Sequence, residues 1–147
     1  MSMEGRTGLV AVQGTEVFRG GKWLKHGEFV FYDDGGDEIS RGHYKDGVED
    51  GPWTQRYEDG CTGVGNFKDG AQSGPWKTFH KNGSLQDTGS YERGKRTGTW
   101  VSYRKDRSKL REAQYEDGVL NGQVTWYGKD GVTVDKNRSG VYVNGEL

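Results

Sequence analysis

The side chains able to do chemistry are few and scattered. His26, His43, His80 and Cys61 are the candidates for acid–base, nucleophilic or metal-ligand work near neutral pH. No two of them stand at a metal-ligand spacing, and no nucleophile elbow or phosphate-binding loop is present. A nucleophilic Cys61 would need an adjacent base, and none of its neighbours supplies one. The run Asp33-Asp34-Gly-Gly-Asp37-Glu38 gathers four carboxylates, which calcium could use. Its spacing does not fit the twelve-residue calcium loop, so it reads as a solvated acidic turn. These residues imply no metal and no cofactor, and the chain reads as a protein that is not an enzyme.

Charge is the feature that speaks of partners. From His26 to Gly60 there are ten acids against three bases, a balance of −7. From Glu92 to Arg111 the balance is +6, carried by Arg93, Lys95, Arg96, Arg104, Lys105, Arg107, Lys109 and Arg111. These eight are the candidate binding residues, expected as one positive patch with Trp100 and Tyr103 as flat surface nearby. Lys109 and Arg111 stand at alternate positions, which share a face in a regular strand. Such a patch suits carboxylate or phosphate. It allows an anionic lipid or polyanion as partner, or head-to-tail pairing of two molecules through opposite charges. Nucleic acid is disfavoured, because the whole chain carries −1 and matches no nucleic-acid module.

The elements that position these residues are marked by glycine. Gly27, Gly51, Gly74, Gly98 and Gly122 follow one another at 24, 23, 24 and 24 residues. Two positions after each stands a large residue: Phe29, Trp53, Trp76, Trp100, Val124. Nine positions after each stands Gly36, Gly60, Gly83, Arg107 or Gly131. Each unit closes on an aromatic residue and a glycine three further on: Tyr44 to Gly47, Phe67 to Gly70, Tyr91 to Gly94, Tyr115 to Gly118, Tyr142 to Gly145. A fixed period of this length is the signature of a repeat architecture. Asp59-Gly60, Asn82-Gly83 and Asp130-Gly131 predict type I′ hairpin turns, and the closing Asp-Gly and Asn-Gly pairs predict the same half a repeat later. Between turns lie six to nine residues rich in aromatic and β-branched side chains, which suits strands. Glycine interrupts every window a helix would need. The fold class is therefore all-β: an elongated, single-layer antiparallel meander of stacked β-hairpin repeats with ten or eleven strands.

Two rules of packing follow. A small residue stands two before each closing aromatic: Gly42, Gly65, Gly89, Ala113, Gly140. It shares a face with that aromatic and leaves room for a neighbouring ring. Trp53, Trp76 and Trp100 are expected as a buried ladder along the sheet; the alternative is a solvent-facing binding stripe. The slot of His26 holds Asp50, Ser73, Thr97 and Asn121 elsewhere, and that of His43 holds Asn66, Ser90 and Gln114. Such variability marks solvent-facing decoration.

The ends depart from the pattern. Residues 1–26 read as an N-terminal capping half-repeat, with Lys22–His26 as a linker; residues 27–147 read as five tandem repeats of the same domain. Arg107 breaks the glycine ladder and predicts a looser loop through Ser108, Lys109 and Leu110. The last unit has Val124 for tryptophan and a second strand about three residues longer.

Composition agrees with this frame. Leu, Ile, Val and Phe make up 25 of 147 residues, and eighteen aromatics supply the missing burial. One cysteine cannot form an internal disulfide, no apolar leader is visible, and the expected location is cytoplasmic.

Gly-Pro-Trp-Lys-Thr-Phe-His-Lys-Asn-Gly (Gly74 to Gly83) followed by Gly-Ser-Tyr-Glu-Arg-Gly (Gly89 to Gly94) resembles the MORN-repeat variant, common in bacterial proteins of the antitoxin-like YwqK family. The likeness covers residues 27–145. It implies elongated sheets of stacked hairpins with scaffolding, dimerisation or anionic-lipid roles, and no catalytic residues. The expected function is a non-catalytic protein-interaction scaffold or binding module, antitoxin- or immunity-like, with a protein partner or a second copy. The alternative is anionic-lipid or polyanion binding through the fourth repeat.

Overall fold

A computed structural model gives the structure of residues 9–147; residues 1–8 of the expected cap lie outside the described residues. Eleven strands follow in order: β1 (Leu9–Arg19), β2 (Lys22–Asp33), β3 (Glu38–Lys45), β4 (Val48–Arg56), β5 (Thr62–Lys68), β6 (Ala71–Phe79), β7 (Leu85–Glu92), β8 (Lys95–Tyr103), β9 (Lys109–Glu116), β10 (Val119–Trp126) and β11 (Gly140–Tyr142). They form one open antiparallel sheet in which spatial order equals chain order. Extensive packing runs only between strands consecutive in the chain. At about 4.8 Å per strand the sheet spans roughly 50 Å.

The two edges use different turns. At one edge, Asp46-Gly47, Asp69-Gly70, Arg93-Gly94 and Asp117-Gly118 have positive φ at both residues, which is the type I′ turn of a two-residue hairpin loop. At the other edge Gly36, Gly60, Gly83, Arg107 and Gly131 are left-handed; Asp59, Asn82 and Asp130 are not. The type I′ turns expected there are therefore absent. The Tyr57 amide bonds to the Cys61 carbonyl at 2.8 Å and the Gly60 amide to the Tyr57 carbonyl at 3.0 Å. That closes a type I turn followed by one left-handed residue. The Asp or Asn acts through its side chain: Asp59 Oδ1 accepts from the Cys61 amide, and Asn82 Oδ1 from the Ser84 amide, both at 2.9 Å.

Arg107 does not loosen its turn. Its φ is 75°, and its amide bonds to the Arg104 carbonyl at 2.9 Å as Gly83 bonds to His80 at 2.8 Å. Asp106 takes the place of Asn82, accepting from the Ser108 amide at 2.9 Å. Side-chain capping thus holds an arginine where glycine is favoured, and Lys109 already belongs to β9.

Two other end readings are corrected. Lys22–His26 is no linker but the first part of β2, paired with β1 from Arg19↔Lys22 to Thr15↔His26. The last strand is short rather than long: β11 has three residues. Asp130 accepts from the amides of Val132 and Thr133, and Asp135 from those of Asn137 and Arg138, so successive turns use up the segment after β10.

The tryptophans are buried: Trp53, Trp76 and Trp100 are 1%, 2% and 2% exposed. A solvent-facing stripe is excluded for these three. Each indole lies over the glycine eleven residues before it; a Cβ on Gly65 would stand 2.3 Å from Trp76 Cδ2. The indole N–H of Trp53, Trp76 and Trp100 donates to the carbonyl of His43, Asn66 and Ser90 at 3.0–3.2 Å. The closing aromatics stand between the tryptophans. Phe29, Tyr44, Trp53, Phe67, Trp76, Tyr91 and Trp100 form a continuous edge-to-face series with centroid separations of 5.1–5.8 Å. Burial, with the Glu49 carboxylate beside it, pushes the Tyr44 phenol up to about 12.

Neighbouring repeats are also clasped at the turns. The amides of Gly47, Gly70, Gly94 and Gly118 donate to the carbonyls of Lys25, Glu49, Gln72 and Arg96 at 2.8–2.9 Å. Each type I′ turn is thereby fastened one repeat back.

Candidate binding surface on the aromatic face

The eight bases do not form one patch. Arg93 and Lys95 lie at the type I′ edge, and Lys105 and Arg107 at the opposite edge. The nine residues of β8 separate them, about 26 Å of strand. Between β8 and β9, Ser102 faces Arg111 and Tyr103 faces Lys109, with Leu110 as the extra residue of a bulge. Residues paired across strands share a face, so Lys109 and Arg111 lie on opposite faces. The bulge cancels the alternation that the sequence suggests.

Four of the eight are engaged inside the molecule. Arg104 donates to the carbonyls of Lys109, Gly128 and Tyr127 at 3.0, 2.8 and 2.6 Å. It is a staple between the fourth repeat and the fifth. Lys109 pairs with Glu112 at 2.6 Å, and this bond raises the ammonium pKa. Arg96 lies 3.7 Å from Asp87 and stacks on Trp100, with its guanidinium carbon 4.2 Å from the ring centroid. Trp100, read both as part of the buried ladder and as flat surface beside the patch, is 2% exposed and offers no open face. Arg111 donates to the Tyr115 hydroxyl at 2.8 Å.

The remaining candidates of the sequence are architectural. His80 Nε2 lies 2.8 Å from the Tyr103 carbonyl, so that nitrogen carries the proton and donates. The Asp46 amide donates to His26 Nδ1 at 3.3 Å, and His43 lies 3.7 Å from Glu28. The histidines are thus half-buried contacts rather than free decoration. Cys61 is buried, and desolvation together with the Asp59 carboxylate pushes its thiol up. In the acidic turn, Asp33 accepts from the amides of Asp37 and Gly35 at 2.9 and 3.0 Å and pairs with Arg56 at 2.8 Å. The Asp37 amide first, and Arg56 with it, holds the Asp33 carboxyl below the usual carboxylate range. Among the described residues no three His, Cys, Asp or Glu side chains converge as a metal group.

Sequence reasoning missed the arrangement that the C-terminal third builds on the aromatic face. Beyond Trp100 the ring-on-ring series gives way to rings alternating with guanidinium groups. Arg96 reaches from Trp100 at 4.2 Å to Tyr115 at 5.5 Å. Arg111 reaches from Tyr115 at 5.8 Å to Trp126 at 5.1 Å. Arg138 closes the series 3.6 Å from Trp126. Register explains the alignment: Tyr91 faces Arg96, Ser102 faces Arg111, and Arg111 faces Trp126. Asp87 stands in the same cross-strand row, between Thr78 and Ser102. Its carboxyl is pushed up by burial, against the opposing pull of Arg96. The available signal was that Trp126 lies two residues past the tryptophan slot, on the same face as Val124.

The fold and this surface define an open, single-sheet β-hairpin repeat protein. No protein-family model matches the chain, and no curated protein matches it in sequence. Among the described residues no helix is long and apolar enough to cross a membrane.

Proposed function

We propose that the chain is a non-catalytic protein-interaction scaffold. One observation carries this reading: exposed apolar side chains concentrate at the two ends of the sheet. At the β1 end Phe18 and Trp23 are 59% and 65% exposed, with ring centroids 5.3 Å apart. At the β11 end Val132, Val141, Val143 and Leu147 are 61–76% exposed. Repeat arrays keep soluble ends by making the outer face polar, and apolar exposure of this kind marks an interaction site. The MORN-like pattern of glycine and aromatic positions supports the same reading, with an antitoxin- or immunity-like role for the chain as one form of it.

Co-purification from the host tests it. The tagged chain should retain a protein partner, or a second copy, in fixed stoichiometry. Trp23→Ser should release a partner held at the β1 end without changing the melting temperature. Consumption of a small molecule from a host metabolite extract by the purified chain, with no retained partner, overturns the reading.

A further inference from the structure

Three guanidinium groups and one carboxylate share the aromatic face from β7 to the segment after β10. Arg96 and Arg111 are held from below by Trp100, Tyr115 and Trp126, and Arg138 lies on Trp126. Arg96 and Arg138 stand over ring faces, with guanidinium carbons 4.2 and 3.6 Å from the centroids, and Arg111 lies within cation–π range of two rings at 5.1 and 5.8 Å; N–H groups that the rings do not engage are the part able to meet a ligand. Arg96 spends part of that edge on Asp87, and Arg111 one N–H on Tyr115. Arg138 is exposed, and its side chain makes no hydrogen bond or ion pair among the described residues. With Asp87 ionised, these four groups carry a net charge of +2. A pre-ordered guanidinium loses less freedom on binding than a mobile one.

We infer that Arg96, Arg111 and Arg138, held against Trp100, Tyr115 and Trp126 by cation–π contacts, form the docking surface for an acidic segment of a partner protein. The inference rests on the binding-module reading above and names the chemistry of its partner.

Carboxylates fit better than the other anions. A single-stranded nucleic acid binds by stacking bases on open aromatic faces. Here Trp100 is 2% exposed, and guanidinium groups stand on Tyr115 and Trp126. A long polyanion would also run toward the acidic half, which carries −7 between His26 and Gly60. An anionic membrane is recognised by clusters of four to eight projecting bases. This surface has three, each held within 6 Å of a ring centroid. A short acidic peptide needs only a few carboxylates to pair bidentately with the guanidinium edges.

Fluorescence anisotropy with a labelled decaglutamate peptide at low salt tests the assignment. Wild type should bind saturably, and affinity should fall as salt rises. Arg111→Gln with Arg138→Gln should weaken binding at least tenfold. Arg138→Lys, which keeps charge but loses the flat stacked fork, should weaken it several-fold. Lys105→Gln with Arg107→Gln, at the far turn, should bind as wild type does. If the double arginine variant loses its cooperative melt, Arg138→Gln alone decides, because that side chain is exposed. The assignment is overturned if the folded arginine variants bind like wild type. It is equally overturned if wild type ignores the peptide, whether or not it binds oligothymidylate or phosphatidylserine vesicles. A host protein retained by wild type that ignores the peptide would sink this inference and leave the scaffold reading standing; loss of both sinks both.

Discussion

Gly65→Ala should damage the protein far more than one methyl group suggests. The added Cβ would stand 2.3 Å from Trp76 Cδ2 and 2.5 Å from Nε1, so the indole must move. It has little freedom to do so. Its N–H is bonded to the Asn66 carbonyl at 3.1 Å, and Phe67 and Tyr91 press on it with centroids at 5.7 and 5.8 Å. Overpacking of this kind costs about 1–3 kcal/mol, and the tethered ring puts this site near 3 kcal/mol. For a chain of this size that lowers the melting temperature by about 6–12 °C. The fifth repeat supplies the remedy. There Ala113 faces Val124, and both are 0% exposed. Glycine with tryptophan and alanine with valine are two ways of filling one site. Trp76→Val alone should cost about 3 kcal/mol. Combined with Gly65→Ala it should cost about 3–4 kcal/mol in total, well short of the sum, because the methyl fills the vacated space. Urea unfolding followed by circular dichroism and by fluorescence measures all four corners of the cycle. Additivity within about 0.5 kcal/mol, or wild-type melting of Gly65→Ala, would refute the packing argument.

Three further outcomes follow from single sites. Arg107→Gly should raise stability by about 0.5–1 kcal/mol, since φ at this position is 75°; a lower melting temperature would count against the strained turn. Because Tyr44 in the folded state holds its proton up to about 12, its environment stops favouring folding as pH rises from 10 to 12. Absorbance titration should show a tyrosinate forming near pH 12 that is lost in Tyr44→Phe; a titration curve that Tyr44→Phe leaves unchanged at high pH would contradict its burial. Asp87 has its folded pKa raised mainly by desolvation, so its ionisation disfavours folding above that pKa. Asp87→Asn should therefore melt higher than wild type at pH 7 and equal to it near pH 3, and a lower melt at pH 7 would show that the Arg96 pairing outweighs desolvation.

The period of glycines and aromatics made the sheet legible because it is set by short-range geometry. A left-handed turn position favours glycine, and an indole needs a bare neighbour, so both leave marks in the sequence. The fate of the basic residues left none. Lys109 and Arg111 look alike in a strand, and only the bulge at Leu110 separates their faces. Arg104 looks like a free cation until the fold brings the carbonyls of Tyr127 and Gly128 within 2.6 and 2.8 Å. Arg138 comes from the segment after β10 and meets Trp126 through turns whose path depends on Asp135. Arg107 misled for a different reason: the side-chain cap of Asp106, shared with Asp59 and Asn82, closes the turn although arginine stands in the glycine position.

The central claim is that each hairpin is fastened in order to the one before it. Through-hydrogen-bond couplings in a long-range HNCO spectrum test it directly. The account predicts cross-peaks from the amides of Gly70, Gly94 and Gly118 to the carbonyl carbons of Glu49, Gln72 and Arg96. Strong couplings from these amides to carbonyls elsewhere in the chain would contradict the stacked meander.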